Sequence, residues 1–143
     1  MLAALLIAYS VSASGVDDDV DRALRRAGNE YAYGNHDEAI LQLRALLAQG
    51  RLVTEAHVME AREYLALCYY LTGRIEQMET EFTKLLYLDP DYTPDEYVVA
   101  PSVIEAFEGV RARLEPNLAK IREARQGPGV ESPPKVIIRS TER

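Results

Sequence analysis

The chain has 143 residues and a net charge of −7, with 48% hydrophobic and 27% charged residues. This length predicts one small domain, and the composition is ordinary for a soluble protein with a packed core. The acidic balance argues against nucleic acid and anionic membranes as the main partners, since both require a basic patch. A single cysteine excludes an internal disulfide and a cysteine-rich metal site.

The first fourteen residues differ in composition from the rest of the chain. An almost wholly apolar run from Leu2 to Val11 precedes the small residues of 12–15. The run is too short to span a bilayer and is typical of a signal-peptide core with a small-residue cleavage site. We therefore interpret 1–14 as a signal peptide, which predicts a periplasmic or secreted protein with no membrane span in the mature chain. No Lys or Arg precedes the core, so an apolar N-terminal helix in a cytoplasmic protein is the alternative.

Two amphipathic helices are predicted after the acidic cluster at 17–19. The apolar face of the first recurs at three- and four-residue spacing: Val20, Leu24, Ala27 and Tyr31. Gly34 breaks this pattern, and Asn35 with Glu38 predicts a capping box for the second helix. We expect that helix to end near Gly50 and to bury five apolar residues: Ala39, Ile40, Leu43, Leu46 and Leu47.

A second pair of helices is predicted from Thr54 to Leu88. Thr54 can cap the third helix, which runs to about Leu71 with one apolar side: Val58, Ala61, Leu65, Ala66 and Tyr69. Residues 72–73 form a turn. The fourth helix, about 75–88, buries Met78, Phe82, Leu85 and Leu86, and Pro90 stops it because proline cannot continue a helix.

These two helix pairs resemble each other at an offset of 39 residues. Five identities carry the repeat: Ala27, Tyr31, Gly34, Leu46 and Leu47 align with Ala66, Tyr70, Gly73, Leu85 and Leu86. A fixed period of this size is typical of stacked units, each of which cannot bury its apolar face alone. The pattern therefore favours an all-α helical-repeat fold.

The spacing in the second unit is similar to that of the tetratricopeptide repeat family. The matching residues are Leu65, Ala66, Tyr69, Gly73, Phe82, Leu85 and Pro90, whereas Met78 stands where the family favours alanine. In the first unit Ala27, 34–39 and Leu46 match, but Arg26, Glu30 and Arg51 depart from the pattern. The resemblance implies two antiparallel helix pairs, at about 20–53 and 59–92. The family period is about 34 residues, so we assign the surplus to a longer connection at 49–54.

A C-terminal cap is expected, because two repeats are few for a stable solenoid. Residues 93–96 and 102–105 each read as a capping box. The second predicts a capping helix at 101–114, whose apolar face is Val103, Ile104, Phe107, Val110 and Leu114. The domain would thus span 17–114. The sequence of 88–111 also resembles the ends of tetratricopeptide repeats in some exported bacterial proteins.

The remaining segment, 115–143, is predicted to lie outside the packed domain. Pro116 should interrupt or kink the chain before a charged helix at 117–125. Residues 126–143 are rich in Gly and Pro and predict a disordered, flexible tail. Within that tail, 136–138 are expected to be disordered or to add a strand to a partner's sheet.

No residue pattern predicts catalysis. Carboxylate pairs such as Glu60 with Glu63 are expected on solvated helix faces, whereas acid–base catalysis needs two different environments in a cleft. Cys68 lies in an apolar stretch and is expected to be a buried, inert thiol. We therefore predict a protein that is not an enzyme, with no catalytic residues, no cofactor and no metal site.

The resemblance instead implies a binding groove. In tetratricopeptide proteins the first helix of each unit lines a concave groove, which here implies six residues: Leu24, Gly28, Tyr31, Glu63, Leu67 and Tyr70. The alternative is that these residues pack beneath the N-terminal segment or the C-terminal helix. The lysine and asparagine clamp for acidic peptide ends is missing, and an acidic groove suits a neutral or basic segment better.

Two hypotheses of function follow from this sequence. The first is a non-catalytic adaptor or scaffold that binds a protein or peptide partner in a bacterial periplasm. The alternative is a self-associating structural subunit of a cell-envelope assembly, which would be a homo-oligomer.

Overall fold

Five α-helices account for all the regular structure in the part of the chain that the structure, a computed structural model, describes: residues 13–52 and 54–127. They are α1 (Ala13–Ala32), α2 (His36–Ala48), α3 (Glu55–Leu71), α4 (Ile75–Leu88) and α5 (Pro101–Gln126). The predicted all-α fold class is confirmed. Residues 1–12 of the predicted signal peptide and 128–143 of the predicted tail lie outside the described residues. The described part of α1 already includes Ala13, so the acidic cluster at 17–19 lies inside the helix rather than at its start.

The helices form two antiparallel hairpins and one covering helix. Helices α1 and α2 pack together, α3 contacts α1, α2 and α4, and α5 packs on α4. One continuous core takes side chains from all five helices: Val20, Leu24 and Ala27; Ala39, Ile40, Leu43 and Leu46; Ala61, Leu65, Ala66, Leu67, Cys68 and Tyr69; Met78, Phe82, Leu85 and Leu86; Val103, Phe107, Val110 and Leu118. The predicted inward faces are therefore confirmed, except that Tyr31, Leu47 and Val58 are only half-buried.

Both hairpins turn through the same backbone motif, 39 residues apart. Gly34 and Gly73 have φ values of 82° and 73°, a region that glycine adopts without steric cost. Asn35 N donates to Glu30 O at 2.9 Å, and Arg74 N donates to Tyr69 O at 2.8 Å. With the bonds from Gly34 N to Tyr31 O and from Gly73 N to Tyr70 O, these are two Schellman motifs. The internal repeat of the sequence is thus a repeat of structure.

The start of α2 differs from its prediction, while the start of α3 agrees. The Asn35 side chain makes no cap bond, because φ −82° and ψ 56° are not extended and its amide instead donates to Glu30 at 2.8 Å. The predicted capping box of Asn35 with Glu38 is therefore wrong. Thr54 is extended, at φ −120° and ψ 156°, and its Oγ1 accepts from His57 N at 3.2 Å, which confirms the predicted cap.

The connection between α4 and α5 is organised by Asp95 rather than by Thr93. The Asp95 carboxylate accepts from Tyr97 N at 2.9 Å, and its carbonyl accepts from Val99 N at 2.8 Å, so a single turn starts two residues later than expected. The predicted capping box at Ser102 is also wrong. Helix α5 starts at Pro101, whose fixed φ suits the first helical position, with extended Ala100 before it.

Helix α5 runs through Pro116 to Gln126, so the predicted interruption is wrong. Proline removes one helical hydrogen bond at a cost of about 3 kcal/mol or more. Tertiary contacts hold the second half of the helix in place, because Leu118 is buried and Arg122 Nε donates to Asp91 Oδ1 at 2.8 Å. Arg125 also donates to Leu88 O at 2.8 Å. The cap is thus one helix that continues past the predicted boundary at residue 114.

Helix α5 covers the outer face of the second hairpin, as predicted for a cap. Phe107 lies edge-on to Phe82, with ring centroids 5.1 Å apart, and to Tyr92, at 5.7 Å. Val103, Phe107 and Val110 are buried, and Ile104 and Leu114 are half-buried. This aromatic packing fixes the α4–α5 connection beside α3, where it forms one wall of the groove described next.

Candidate binding groove

A cavity of about 420 Å³ opens between α1, α3 and the segment 95–99, and we call it the groove. Its principal lining residues are Gly28 and Tyr31 from α1; Glu60, Glu63, Tyr64 and Leu67 from α3; and Asp95, Val98 and Val99 from the α4–α5 connection. Residues 60, 63, 64 and 67 follow helical spacing, which places them on one face of α3. The groove is therefore formed by the first helices of the two hairpins and closed on one side by the connection to α5.

Four of the six residues predicted for the groove line it, namely Gly28, Tyr31, Glu63 and Leu67. Leu24 does not, since its side chain is only 1% exposed in the core. One turn earlier, Asp21 and His57 lie 3.0 Å apart and hold α1 against α3, so the groove opens only beyond Leu24.

Tyr70 also lies outside the cavity. It is one turn beyond Leu67 on α3 and is half-buried against the core. The structure therefore favours the alternative interpretation for two of the six residues: Leu24 and Tyr70 pack in or against the core and do not line the groove.

Tyr64 is a groove residue that sequence reasoning missed. Its ring lies across α1 where Gly28 leaves room, because a Cβ at position 28 would be 3.0 Å from Tyr64 Oη. The Tyr31 and Tyr64 ring centroids are 5.6 Å apart at an angle of 57°. The helical spacing of Glu60, Glu63, Tyr64 and Leu67 is a signal that could have found it. The two rings form an aromatic wall whose hydroxyls give it polar tips.

The groove is negatively charged. Glu60, Glu63 and Asp95 line it, and no Lys, Arg or His is found among its described lining residues. Burial raises the pKa of Glu63 above its usual value, and the charges of Glu60 and Asp95 raise it further, although Tyr92 acts to lower it. Burial likewise raises the pKa of Tyr31 and of Tyr64, with smaller contributions from Glu63 to both. The aromatic wall thus lies in a poorly solvated environment that disfavours further negative charge.

Tyr92 links the groove to the capping helix. Its hydroxyl is buried and makes no hydrogen bond of normal geometry to the described residues. It still lies near enough to Glu63 for each to influence the pKa of the other, and burial raises the pKa of Tyr92 most. The carbonyl of Tyr92 accepts from Arg111 of α5. Tyr92 therefore contacts α5 through its carbonyl and its ring and lies beside Glu63 through its hydroxyl.

The cysteine of the chain does not line the groove. Cys68 is fully buried, as predicted, and burial raises its pKa to about 11, which keeps it a thiol at neutral pH. Within 13–52 and 54–127, no group of three or more His, Cys, Asp or Glu side chains is arranged to hold a metal ion. The groove offers binding surface: aromatic and aliphatic walls with carboxylates among them.

Comparison with known proteins gives no matching family model, no matching curated protein and no matching solved structure. The tetratricopeptide resemblance therefore stays a prediction, carried by residue spacing and by the repeated turn. Among the described helices, none is both long and apolar enough to cross a membrane.

Proposed function

We propose that the protein is a non-catalytic adaptor or scaffold of the tetratricopeptide type, which binds a segment of a partner protein in the groove. The observation that carries the proposal is the groove itself. It is a preformed cavity of about 420 Å³ between the first helices of two structurally repeated hairpins, with the Tyr31 and Tyr64 rings on its wall. Specific sites are commonly concave and largely apolar, with a few convergent polar groups.

The surface beside the groove also supports docking of a partner. Tyr97 is 92% exposed and Val98 is 74% exposed, next to the turn that Asp95 organises. Large apolar side chains that stay exposed together beside a cavity are typical of interaction surfaces. Tyrosine suits such a surface because it offers a large, rigid contact area and a hydrogen-bonding tip at low entropic cost.

We place this activity in a bacterial periplasm, on the sequence of residues 1–14. An apolar run followed by small residues is typical of a cleaved export signal. Mass spectrometry of the protein from its native host tests this part separately. A mature chain that begins near Ser14 or Gly15 supports export, and an intact N-terminus contradicts it.

Site-specific photo-cross-linking in the native host tests the adaptor proposal. A photoreactive phenylalanine analogue replaces Tyr31 in the groove or, as the matched control, Tyr33, which is exposed in the turn after the same helix and outside the groove. We expect a discrete protein adduct from position 31 and none from position 33. The adduct should disappear when Tyr64→Ala is added while helicity by circular dichroism stays unchanged. Equal adducts from both positions, or none from position 31, would contradict the proposal.

A second candidate function is a self-associating structural subunit of a cell-envelope assembly. It is favoured by apolar surface at both ends of the helix stack. A cleft of about 620 Å³ between α4 and α5 is lined in part by Tyr87 and Leu114, and Leu41 on α2 is 64% exposed. Stacked repeats commonly cover such ends with further repeats. Size-exclusion chromatography with light scattering decides: a stable oligomer that Leu41→Glu dissociates supports assembly, and a monomer supports the adaptor.

A further inference from the structure

We infer that the groove selects a basic segment of its partner, with a lysine or arginine side chain held between the aromatic wall and the groove carboxylates. This inference rests on the proposed adaptor function and specifies the chemistry of its ligand. It is carried by the combination, in one cavity, of the paired Tyr31 and Tyr64 rings with three carboxylates and, among the described residues, no lining cation.

The groove carboxylates differ from those at the other helix contacts. Glu81 of α4 is paired with Arg62 of α3 at 2.8 Å and with Lys84 of its own helix at 2.8 Å. Between α2 and the start of α4, Asp37 is paired with Arg74 at 2.7 Å.

By contrast, Glu60, Glu63 and Asp95 form no ion pair with any described residue, although they converge on one cavity. A positive charge from outside would complete this arrangement, and its attraction should be strongest at Glu63, the half-buried carboxylate of the three.

The aromatic wall is suited to the same ligand. The faces of tyrosine rings attract an ammonium or guanidinium group placed within about 6 Å of the ring centroid. The Tyr31 and Tyr64 rings both line this cavity, and their planes lie at 57° to each other. Burial and the nearby carboxylates raise the pKa of both hydroxyls, which therefore stay neutral.

The surroundings of the groove favour a peptide over a small free amine. A second cavity of about 440 Å³ adjoins the groove and shares Asp95 with it, and Glu96 and Glu108 line that cavity. Glu108 is partly offset by Arg111 at 3.6 Å, whereas Glu96 has no ion pair among the described residues. Exposed Val98 lies beside the groove. An extended segment of alternating basic and apolar residues would place its cations beside the carboxylates of Asp95, Glu96 and Glu108 and its apolar side chains on Val98.

Fluorescence anisotropy with three labelled peptides tests the inference on the full chain. The peptides alternate valine with lysine, with norleucine or with glutamate. We expect binding in the order lysine, norleucine, glutamate, and a lysine-peptide affinity that falls as salt screens the charges. The double variant Glu60→Gln with Asp95→Asn should weaken the lysine peptide by about tenfold. Glu55→Gln with Glu123→Gln is the matched control: it removes the same charge from exposed positions outside the groove and should change affinity less than about twofold.

Each other outcome overturns the inference. Equal affinity for the three peptides, or no lysine-peptide binding up to about 1 mM, shows that the groove does not select cations. In that case the photo-cross-linked adduct from position 31 would still support the adaptor proposal. Failure of the cation inference can therefore be distinguished from failure of the adaptor proposal. A free polyamine that binds as tightly as the lysine peptide overturns the peptide assignment. A gain in affinity in the variant Lys135→Glu with Arg139→Glu overturns the partner assignment, because the chain's own C-terminal segment then fills the groove.

Discussion

The two hairpins share a turn but differ in how they are covered. Gly34 and Gly73 occupy equivalent positions in the same Schellman motif. The second hairpin has neighbours on both sides, α1 and α2 on one and α5 on the other. Among the described residues the first hairpin packs mainly against α3, and its Leu41 stays exposed. The repeated sequence thus determines the local turn, whereas position in the stack determines how much apolar surface is buried.

The equivalent positions 43 and 82 illustrate this difference. Leu43 and Phe82 are both fully buried, one on α2 and one on α4. Phe82 packs edge-on against Phe107 of the capping helix, a contact with no counterpart described for Leu43. The second hairpin therefore depends on the cap for its core, and we expect it to be the more stable half of the domain.

The largest expected effect is that of Phe82→Ala. Removing a fully buried ring should lower the free energy of unfolding by about 3–5 kcal/mol, through lost transfer free energy and a residual cavity. Leu43→Ala should cost less, about 2–4 kcal/mol, because fewer aromatic contacts are lost. Urea denaturation followed by circular dichroism measures both. If Leu43→Ala lowered the free energy of unfolding as much as Phe82→Ala, the capping helix would add no extra stability to the core of the second hairpin.

The turn glycines offer the next test. Gly34→Ala and Gly73→Ala should each cost about 1–2 kcal/mol, because an L side chain is strained at positive φ. Nothing lies within 4 Å of a Cβ at either site, so the cost is backbone strain alone and should be nearly equal in the two hairpins. Gly109→Ala is the control: Gly109 lies inside α5 with the same open space, and alanine there should stabilise by up to about 1 kcal/mol. Unequal costs at 34 and 73 would show that the turns are not energetically equivalent.

Most of the fold could be predicted because the information is local. The helical spacing of apolar residues gave the faces of α1 to α4, and the bounds of α4 came from Gly73 and Pro90. The errors lie where tertiary contacts override a local rule. Pro116 should end a helix, but buried Leu118 and the bonds of Arg122 hold α5 together beyond it.

The groove could be predicted only in part. The family resemblance implies that one face of the first helix in each unit lines the groove, and this gave four of the lining residues: Gly28, Tyr31, Glu63 and Leu67. Sequence reasoning missed Tyr64 and the wall that the α4–α5 connection forms at Asp95. The first depends on a close approach between two helices, and the second depends on where the α4–α5 connection folds back. Helical spacing along α3 gives the face on which Tyr64 lies but not its close approach to α1, and it says nothing about Asp95.

The helix caps give a smaller contrast between the hairpins. Thr54→Ala removes a cap bond at the start of α3 and should cost about 1 kcal/mol. Asn35→Ala at the start of α2 should cost less than about 0.5 kcal/mol, because its exposed side chain bonds to Glu30 and caps nothing. Thermal denaturation of the two variants, measured together, compares them. A larger loss from Asn35→Ala would mean that its bond to Glu30 stabilises the first turn more than a cap does.

The smallest expected effect concerns Glu63, at the junction of the groove and the cap. Burial raises the pKa of this carboxyl, and Glu60 and Asp95 add to that rise, so folding disfavours its ionised form. In the window between its ordinary and raised pKa values the folded state binds more protons than the unfolded state, and stability from this group is lost as pH rises. Glu63→Gln removes the buried charge while keeping the shape. Its melting temperature should exceed that of the wild type near neutral pH, and the difference should vanish below the ordinary glutamate pKa. Glu123→Gln, which removes a carboxylate from an exposed face of α5, is the matched control. A Glu63→Gln variant that is less stable at neutral pH would contradict this prediction. It would mean that the interaction of the Glu63 carboxylate with Tyr92 stabilises the fold by more than the burial of its charge destabilises it.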